Sequence, residues 1–291
     1  MTSLELIKKL RDTTGSGIVD CKKALTENSD DLEASIKWLR EKGILKAQKK
    51  QDRETKEGII CFYFSPTSSD FTICKITCET DFVAKNEDFL SFANVITNSI
   101  HENSSPNKIS KGSFDDIKSI QNNGKSIEQI LTDAISKIGE NIQIDSFTSY
   151  KTNDLIFLTY LHNKYSENAS KIGSVIGLNV SGNLSDEDKA NLKILPMQLS
   201  AMKPIAISEE YLDPKILEDE TDIIKKQMSD VKNDKMEQII KGKLNKFIKE
   251  NTLLSQTLIS DPKKSVQQLL EDIGNKNSLS IKIMHMDLYS I

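Results

Sequence analysis

Two short β-type runs, 59–64 and 72–79, are separated by the turn-rich Ser65-Pro66-Thr67-Ser68-Ser69-Asp70 and most constrain how this chain can fold. Apolar and β-branched residues dominate both runs, and a proline–serine–aspartate cluster between them demands a chain reversal. The runs are expected to lie side by side as neighbouring strands. A helix follows: Asn86 is placed to cap it, Glu87 and Asp88 suit its positive end, and Phe89, Phe92, Ala93 and Ile96 recur on one face. The same order returns about 95–100 residues later, a spacing to be read as an internal repeat. There the runs 155–162 and 172–180, linked by 163–170, precede a helical segment reaching Met202. Two strand–strand–helix units predict an α+β fold with two related core subdomains.

Between the first strand pair and its helix lies Thr80-Asp81-Phe82-Val83-Ala84-Lys85-Asn86. An aromatic beside an acid at a strand-to-helix corner reads as a surface probe. Phe89, Phe92 and Ile96 already supply the helix's inner face. The competing reading makes Phe82 a core aromatic of that helix.

Residues 4–43 read as three short helices. Leu6, Ile7 and Leu10 mark the first, which ends before Thr14-Gly15-Ser16-Gly17. Ile18, Cys21, Ala24 and Leu25 form the apolar stripe of the second. Asp30 is placed to cap the third, with Glu33 at capping-box spacing; Leu32, Ile36 and Leu39 face inward, and Gly43 stands where a left-handed C-cap is expected. About forty residues give a marginal core, so a bundle over 1–44 is expected to lean on a partner. The mixed-charge, aperiodic stretch that follows, 45–57, reads as a solvated linker.

Core subdomains are expected at 58–145 and 146–291. In the second, Asp213-Pro214 is an N-cap followed by proline at the first helical position. Ile216, Ile223, Ile224 and Met228, then Met236, Ile240, Leu244 and Phe247, recur at helical spacing. Two helices with narrow stripes and a short connection predict an antiparallel hairpin over about 205–250. Pro196 is expected to begin its helix, because proline in a helix interior costs about 3 kcal/mol.

Several function classes lack support. The sequence has no G-x-x-x-x-G-K-[ST], no G-x-G-x-x-G and no G-x-S-x-G, and its three histidines, His101, His162 and His285, have no triad spacing. An enzyme is not expected. A formal net charge of −4 argues against a nucleic-acid binder, since phosphate contacts need clustered cations. With only Arg11, Arg40 and Arg53 as arginines, an arginine-finger mechanism is poorly supported. Cys21, Cys61, Cys74 and Cys78 read as buried thiols in a reducing compartment, with no third ligand near Cys74 and Cys78 for zinc. No cofactor and no metal site is expected. The first residues carry no signal-peptide core, and no run approaches the roughly 18 apolar residues of a membrane span, so a cytoplasmic location is expected.

The stretch 80–86 resembles the translation elongation factor Ts family. So do Leu10-Arg11-Asp12-Thr13-Thr14-Gly15, Asp20-Cys21-Lys22-Lys23-Ala24-Leu25 and Trp38-Leu39-Arg40-Glu41-Lys42-Gly43. Ile138-Gly139-Glu140-Asn141-Ile142, Tyr160-Leu161-His162 and the segments 241–247 and 261–270 are similar to further family segments. The resemblance implies an N-terminal three-helix bundle like ubiquitin-associated domains, two related α+β subdomains and an inserted helical hairpin. It also implies guanine-nucleotide exchange on elongation factor Tu, engaged both GDP-bound and nucleotide-free. In that reading Thr80, Asp81, Phe82 and Val83 meet the partner and dislodge its Mg²⁺. The alternative is a non-catalytic translation- or ubiquitin-like-associated adaptor docking through its helical module. Some family members continue into a C-terminal helical module; none is expected after the closing strand at 280–286.

Overall fold

The first two β-type runs do form a hairpin in a computed structural model of the chain, which describes residues 3–227 and 236–291. Strands β1 (Glu57–Phe64) and β2 (Phe71–Cys78) pair antiparallel, from Glu57 opposite Cys78 to Phe64 opposite Phe71. The period of two then sorts their side chains. Ile59 and Cys61 of β1 join Cys74, Ile76 and Cys78 of β2 in one apolar cluster. Over it lie α5 (Glu87–Asn103), contributing Phe89, Phe92, Ala93, Ile96 and Ile100, and α7 (Ile127–Ile138), contributing Ile127 and Ile135. Asn86 caps α5 as expected, its side chain accepting from the Asp88 N–H at 2.8 Å. Helix α7 opens on a Ser126–Gln129 capping box and closes on Gly139, whose φ of 92° is the left-handed C-cap.

Two strands in this part were not read from the sequence. Strand β6 (Ile142–Lys151) adds to the outer side of β2, and β3 (Lys108–Gly112) adds to β6, all antiparallel, giving the order β3-β6-β2-β1. Short elements complete the connection: α4 (Asp81–Ala84), α6 (Phe114–Ile117), and the tiny pair β4 (Gln121–Asn122) and β5 (Lys125–Ser126).

The N-terminal residues form α1 (Ser3–Thr14), α2 (Ile18–Glu27) and α3 (Leu32–Gln48) around Leu10, Cys21, Ala24, Leu25 and Leu39. Three expectations fail here. The cap of α3 is Asp31, which accepts from the Ala34 N–H at 2.8 Å, while Asp30 sits at φ 61° in the preceding turn. Gly43 is an interior residue of α3 and not its C-cap. It lies against α7, where an added Cβ would stand 3.1 Å from Ser136 Oγ, so the small residue serves close helix contact. The helix therefore runs through the start of the stretch taken as linker. Ile18 is 56% exposed and outside the stripe, because it occupies the first position of α2, before the turns that face the bundle.

By its contacts the described chain divides into two units. One runs to Thr152 and includes Asn163–Lys171 and Ser290–Ile291; the other comprises Asn153–His162 and Ile172–Tyr289. The boundary expected at 145/146 falls inside β6. The second unit is built on the greater parts of β7 (Ile156–Lys164), β8 (Ala169–Val180) and β9 (Ile281–Ser290), whose residues 163–164, 169–171 and 290 belong to the first; β8 is paired to both others. Leu158, Ile176, Leu178 and Ile283 of these strands pack with residues of α8 (Asp186–Leu192), α9 (Ile194–Met202) and α12 (Val266–Asn277). Helix α9 begins at Ile194, two residues before Pro196. A first-turn N–H has no intrahelical acceptor, so proline at the third position costs no bond, and the chain breaks from α8 at Lys193. Helices α10 (Pro214–Gln227) and α11 (Met236–Asn251) pack through Leu217, Leu244 and Ile248, and Asp213 caps α10 by accepting from the Lys215 N–H. Met228 lies outside the described residues.

Gly58 shows how tightly β1 and β2 are joined. Its φ is 150°, and a Cβ there would lie 2.3 Å from the Ile76 carbonyl oxygen. Gly58→Ala should cost about 2 kcal/mol or more in a urea melt, whereas Gly17→Ala, with open space around it, should stay within about 0.5 kcal/mol. Equal midpoints for the two variants would contradict this packing.

Candidate functional site

The corner between β2 and α5 is assembled by three successive caps. Strand β2 stops at Cys78, and Thr80 then starts α4, its Oγ1 accepting from the Val83 N–H at 3.4 Å. The short helix ends after one turn with Lys85 N–H on the Phe82 carbonyl and Asn86 N–H on the Val83 carbonyl. Asn86 immediately caps α5. Within α4, Ala84 is buried and Val83 packs against the sheet–helix core. At about 100° per residue, Phe82 is turned to the far side from Ala84, and it is 81% exposed. A core role for Phe82 is thereby excluded.

The four sequence-selected residues thus differ in position. Asp81 and Phe82 project, Thr80 caps and Val83 anchors. Asp81 pairs with Lys85, Oδ2 to Nζ at 2.7 Å, and this hydrogen bond holds the Asp81 carboxyl below the usual carboxylate range. Lys85 Nζ also stands over the Tyr165 ring, 5.9 Å from its centre. The corner therefore offers a large bare aromatic face beside a carboxylate kept ionised by its own turn.

Two residues that sequence reasoning did not attach to the corner are bonded to it. One oxygen of the Glu140 carboxylate accepts the backbone N–H groups of Glu79 (3.1 Å) and Thr80 (3.0 Å), and the other accepts the Thr80 hydroxyl at 2.7 Å. Asn141 donates its N–H to the Glu79 carboxylate at 2.6 Å. In the sequence both belong only to the segment 138–142 that is similar to a family segment, and a separation of about sixty residues hides such a contact from any local pattern.

Other candidate chemistry recedes. Among the described residues no group of three or more His, Cys, Asp and Glu side chains could hold a metal ion. Cys21, Cys61, Cys74 and Cys78 are free and buried; burial pushes the Cys61 thiol up to about 11 and that of Cys78 up to about 12, which suits packing rather than nucleophilic attack. His162 is exposed near the end of β7, 3.0 Å from the Tyr160 hydroxyl. Two cavities of about 730 Å³ occur among the described residues, neither of them lined by residues 79–86. One is lined by residues of α3, α7 and the start of β6, the other by residues of α12 and β9. The corner presents an exposed aromatic beside a carboxylate and lines neither cavity.

Residues 79–291 match the family model described as "Elongation factor TS". The chain is 37% identical to elongation factor Ts of Aquifex aeolicus over 277 residues, covering 94% of this chain and 93% of the relative. It is 34% identical to elongation factor Ts of Nitrobacter hamburgensis, covering 98% and 91%. Elongation factor Ts of Chlorobaculum parvum is 31% identical, with 98% and 96% covered.

Because Phe82 touches little of its own chain, Phe82→Ala should change folding stability by no more than about 0.5 kcal/mol in thermal or urea melts. A loss of several degrees in melting temperature would return Phe82 to the core.

Proposed function

This chain belongs to the elongation factor Ts family and is a translation elongation factor; on that premise we propose that it is the guanine-nucleotide exchange factor for elongation factor Tu. The observation that carries the reading is Phe82, a bare aromatic beside an ionised Asp81 on a corner fixed to the sheet. The mechanism follows from linkage. A factor and a nucleotide that weaken each other's binding do so by the same ratio, and about 1.4 kcal/mol of coupling is tenfold. Mg²⁺ requires near-ideal octahedral geometry, so shifting the partner's elements around the ion loosens GDP without any contact to the base. Phe82 is the wedge in this scheme and Asp81 the polar contact beside it. Thr80 and Val83 keep both at a constant angle. The factor binds GDP-bound partner, expels the nucleotide and remains on the empty form. No bond is made or broken, so the factor is not an enzyme in the usual sense.

The rest of the chain takes supporting parts. Residues 1–44 act as a docking module like ubiquitin-associated domains, with Leu4, Ile18 and Val19 as exposed apolar contacts. The two core subdomains carry the corner and the remaining interface, with the hairpin of α10 and α11 inserted in the second. In this reading the chain works in the cytoplasm on a protein partner, not on membrane or nucleic acid; no helix among the described residues is long and apolar enough to cross a membrane. The same exposed apolar residues of the N-terminal helices favour one other reading, an adaptor that docks without altering GDP release.

Release of labelled GDP from purified elongation factor Tu separates the two. The chain should accelerate release at substoichiometric amounts and bind no guanine nucleotide itself. Release unchanged by the chain, or saturable GDP binding to it alone, would end the exchange-factor reading.

Phe82→Ala should slow exchange severalfold or more, since a central aromatic anchor often carries ~2 kcal/mol or more. Asp81→Ala should also slow it, and the double variant should lose less than the sum, because both act on one displacement. Removing Mg²⁺ with a chelator should narrow the gap between wild type and variants. Strictly additive losses that persist without Mg²⁺ would rule out a shared action at the metal.

A further inference from the structure

Strand β2 ends abruptly, and the peptide N–H groups of Glu79 and Thr80 leave the ladder just where the chain must turn toward Phe82. Buried or half-buried N–H groups need acceptors, and here both find the same one, Oε2 of Glu140. The other oxygen accepts the Thr80 hydroxyl. Thr80 spends its single proton on Glu140 and keeps a lone pair for the Val83 N–H, so the bond to Glu140 also orients the cap of α4.

The clamp is mutual and braced. While Glu140 holds 79 and 80, the Glu79 carboxylate takes the Asn141 N–H, so each of two loops grips the backbone of the other. Glu140 follows the left-handed Gly139 that closes α7, and the Gly139 carbonyl accepts from Lys50 Nζ. Asn141 Nδ2 donates to the Arg53 carbonyl at 2.7 Å, fastening the segment after α3 to the same point.

We infer that Glu140 is a positioning residue for the partner-contacting corner: its carboxylate sets the direction in which Asp81 and Phe82 leave the sheet. The inference rests on the exchange-factor reading and deepens it. A wedge on a rigid mount meets its partner without first losing conformational freedom, and a loosened mount forfeits that advantage even when every contacting side chain is intact. Nothing in this assignment requires Glu140 to touch the partner.

The test measures GDP release from elongation factor Tu with wild type, Glu140→Ala, Glu140→Gln and Phe82→Ala, and with the Glu140→Ala/Phe82→Ala pair. Glu140→Ala should slow exchange about tenfold, as the loss of charge-assisted hydrogen bonds predicts, and Glu140→Gln should fall between it and wild type, since a carboxamide can keep some of the acceptors. In the Phe82→Ala background Glu140→Ala should add little, because the group it aims is already gone. Amide hydrogen exchange should show Glu79 and Thr80 losing protection in Glu140→Ala while the amides of α5 keep theirs. If Glu140→Ala unfolds the chain, Glu140→Gln carries the same comparison. Exchange at the wild-type rate in folded Glu140 variants, or losses that add fully to that of Phe82→Ala, would overturn the assignment. Failure of wild type itself to accelerate release would overturn the underlying function instead.

Discussion

The burial of one apolar face of the β1–β2 hairpin beneath α5 is the contact on which the first unit depends. Ile59, Cys61, Cys74 and Ile76 lie below, and Phe89, Phe92 and Ile96 lie above. Removing this much apolar surface from water is worth roughly 25 cal/mol for each Å² buried. That interaction sets where β2 must end and where α5 must begin. The chain has only 79–86 in which to turn between them, and it does so with a single helical turn whose inward positions go to Val83 and Ala84. Phe82 is pushed outward by that geometry, with no apolar neighbour assigned to it in the core.

Polar bonds then convert an exposed turn into a fixed one. The caps at Thr80 and Asn86 are local, each joining residues two or three positions apart. The carboxylate of Glu140 and the amide of Asn141 are not local, and they tie the corner to the end of α7 and to the segment after α3. The result is an exposed Phe82 on a turn whose backbone is bonded to groups some sixty residues away.

Much of the local structure was legible because it obeys short-range rules. Apolar and β-branched runs marked β1 and β2, a proline–serine turn separated them, and Asn86 announced α5. The errors share one origin. Gly43 resembles a helix stop until Ser136 of another helix is seen beside it. Pro196 resembles a start, yet the free N–H groups of a first turn let α9 begin at Ile194. Asp30 and Asp31 compete for one cap, and the backbone of the preceding turn chose Asp31. Strands β3 and β6 are too polar to stand out, since SKG and DSFTS owe their extended form to the strand beside them.

The sequence by itself determined the α+β character, the strand-to-helix corner at 80–86 and its family likeness, because each rests on residue types within a few positions of one another. Only the tertiary structure decided that Phe82 faces solvent while Val83 and Ala84 face the core, and that Glu140 and Asn141, some sixty residues away, hold the backbone of the corner. The physical reason is range. Periodicity and capping act within a helical turn or a strand pair, whereas the direction of an exposed side chain depends on which distant groups satisfy the peptide N–H groups beneath it.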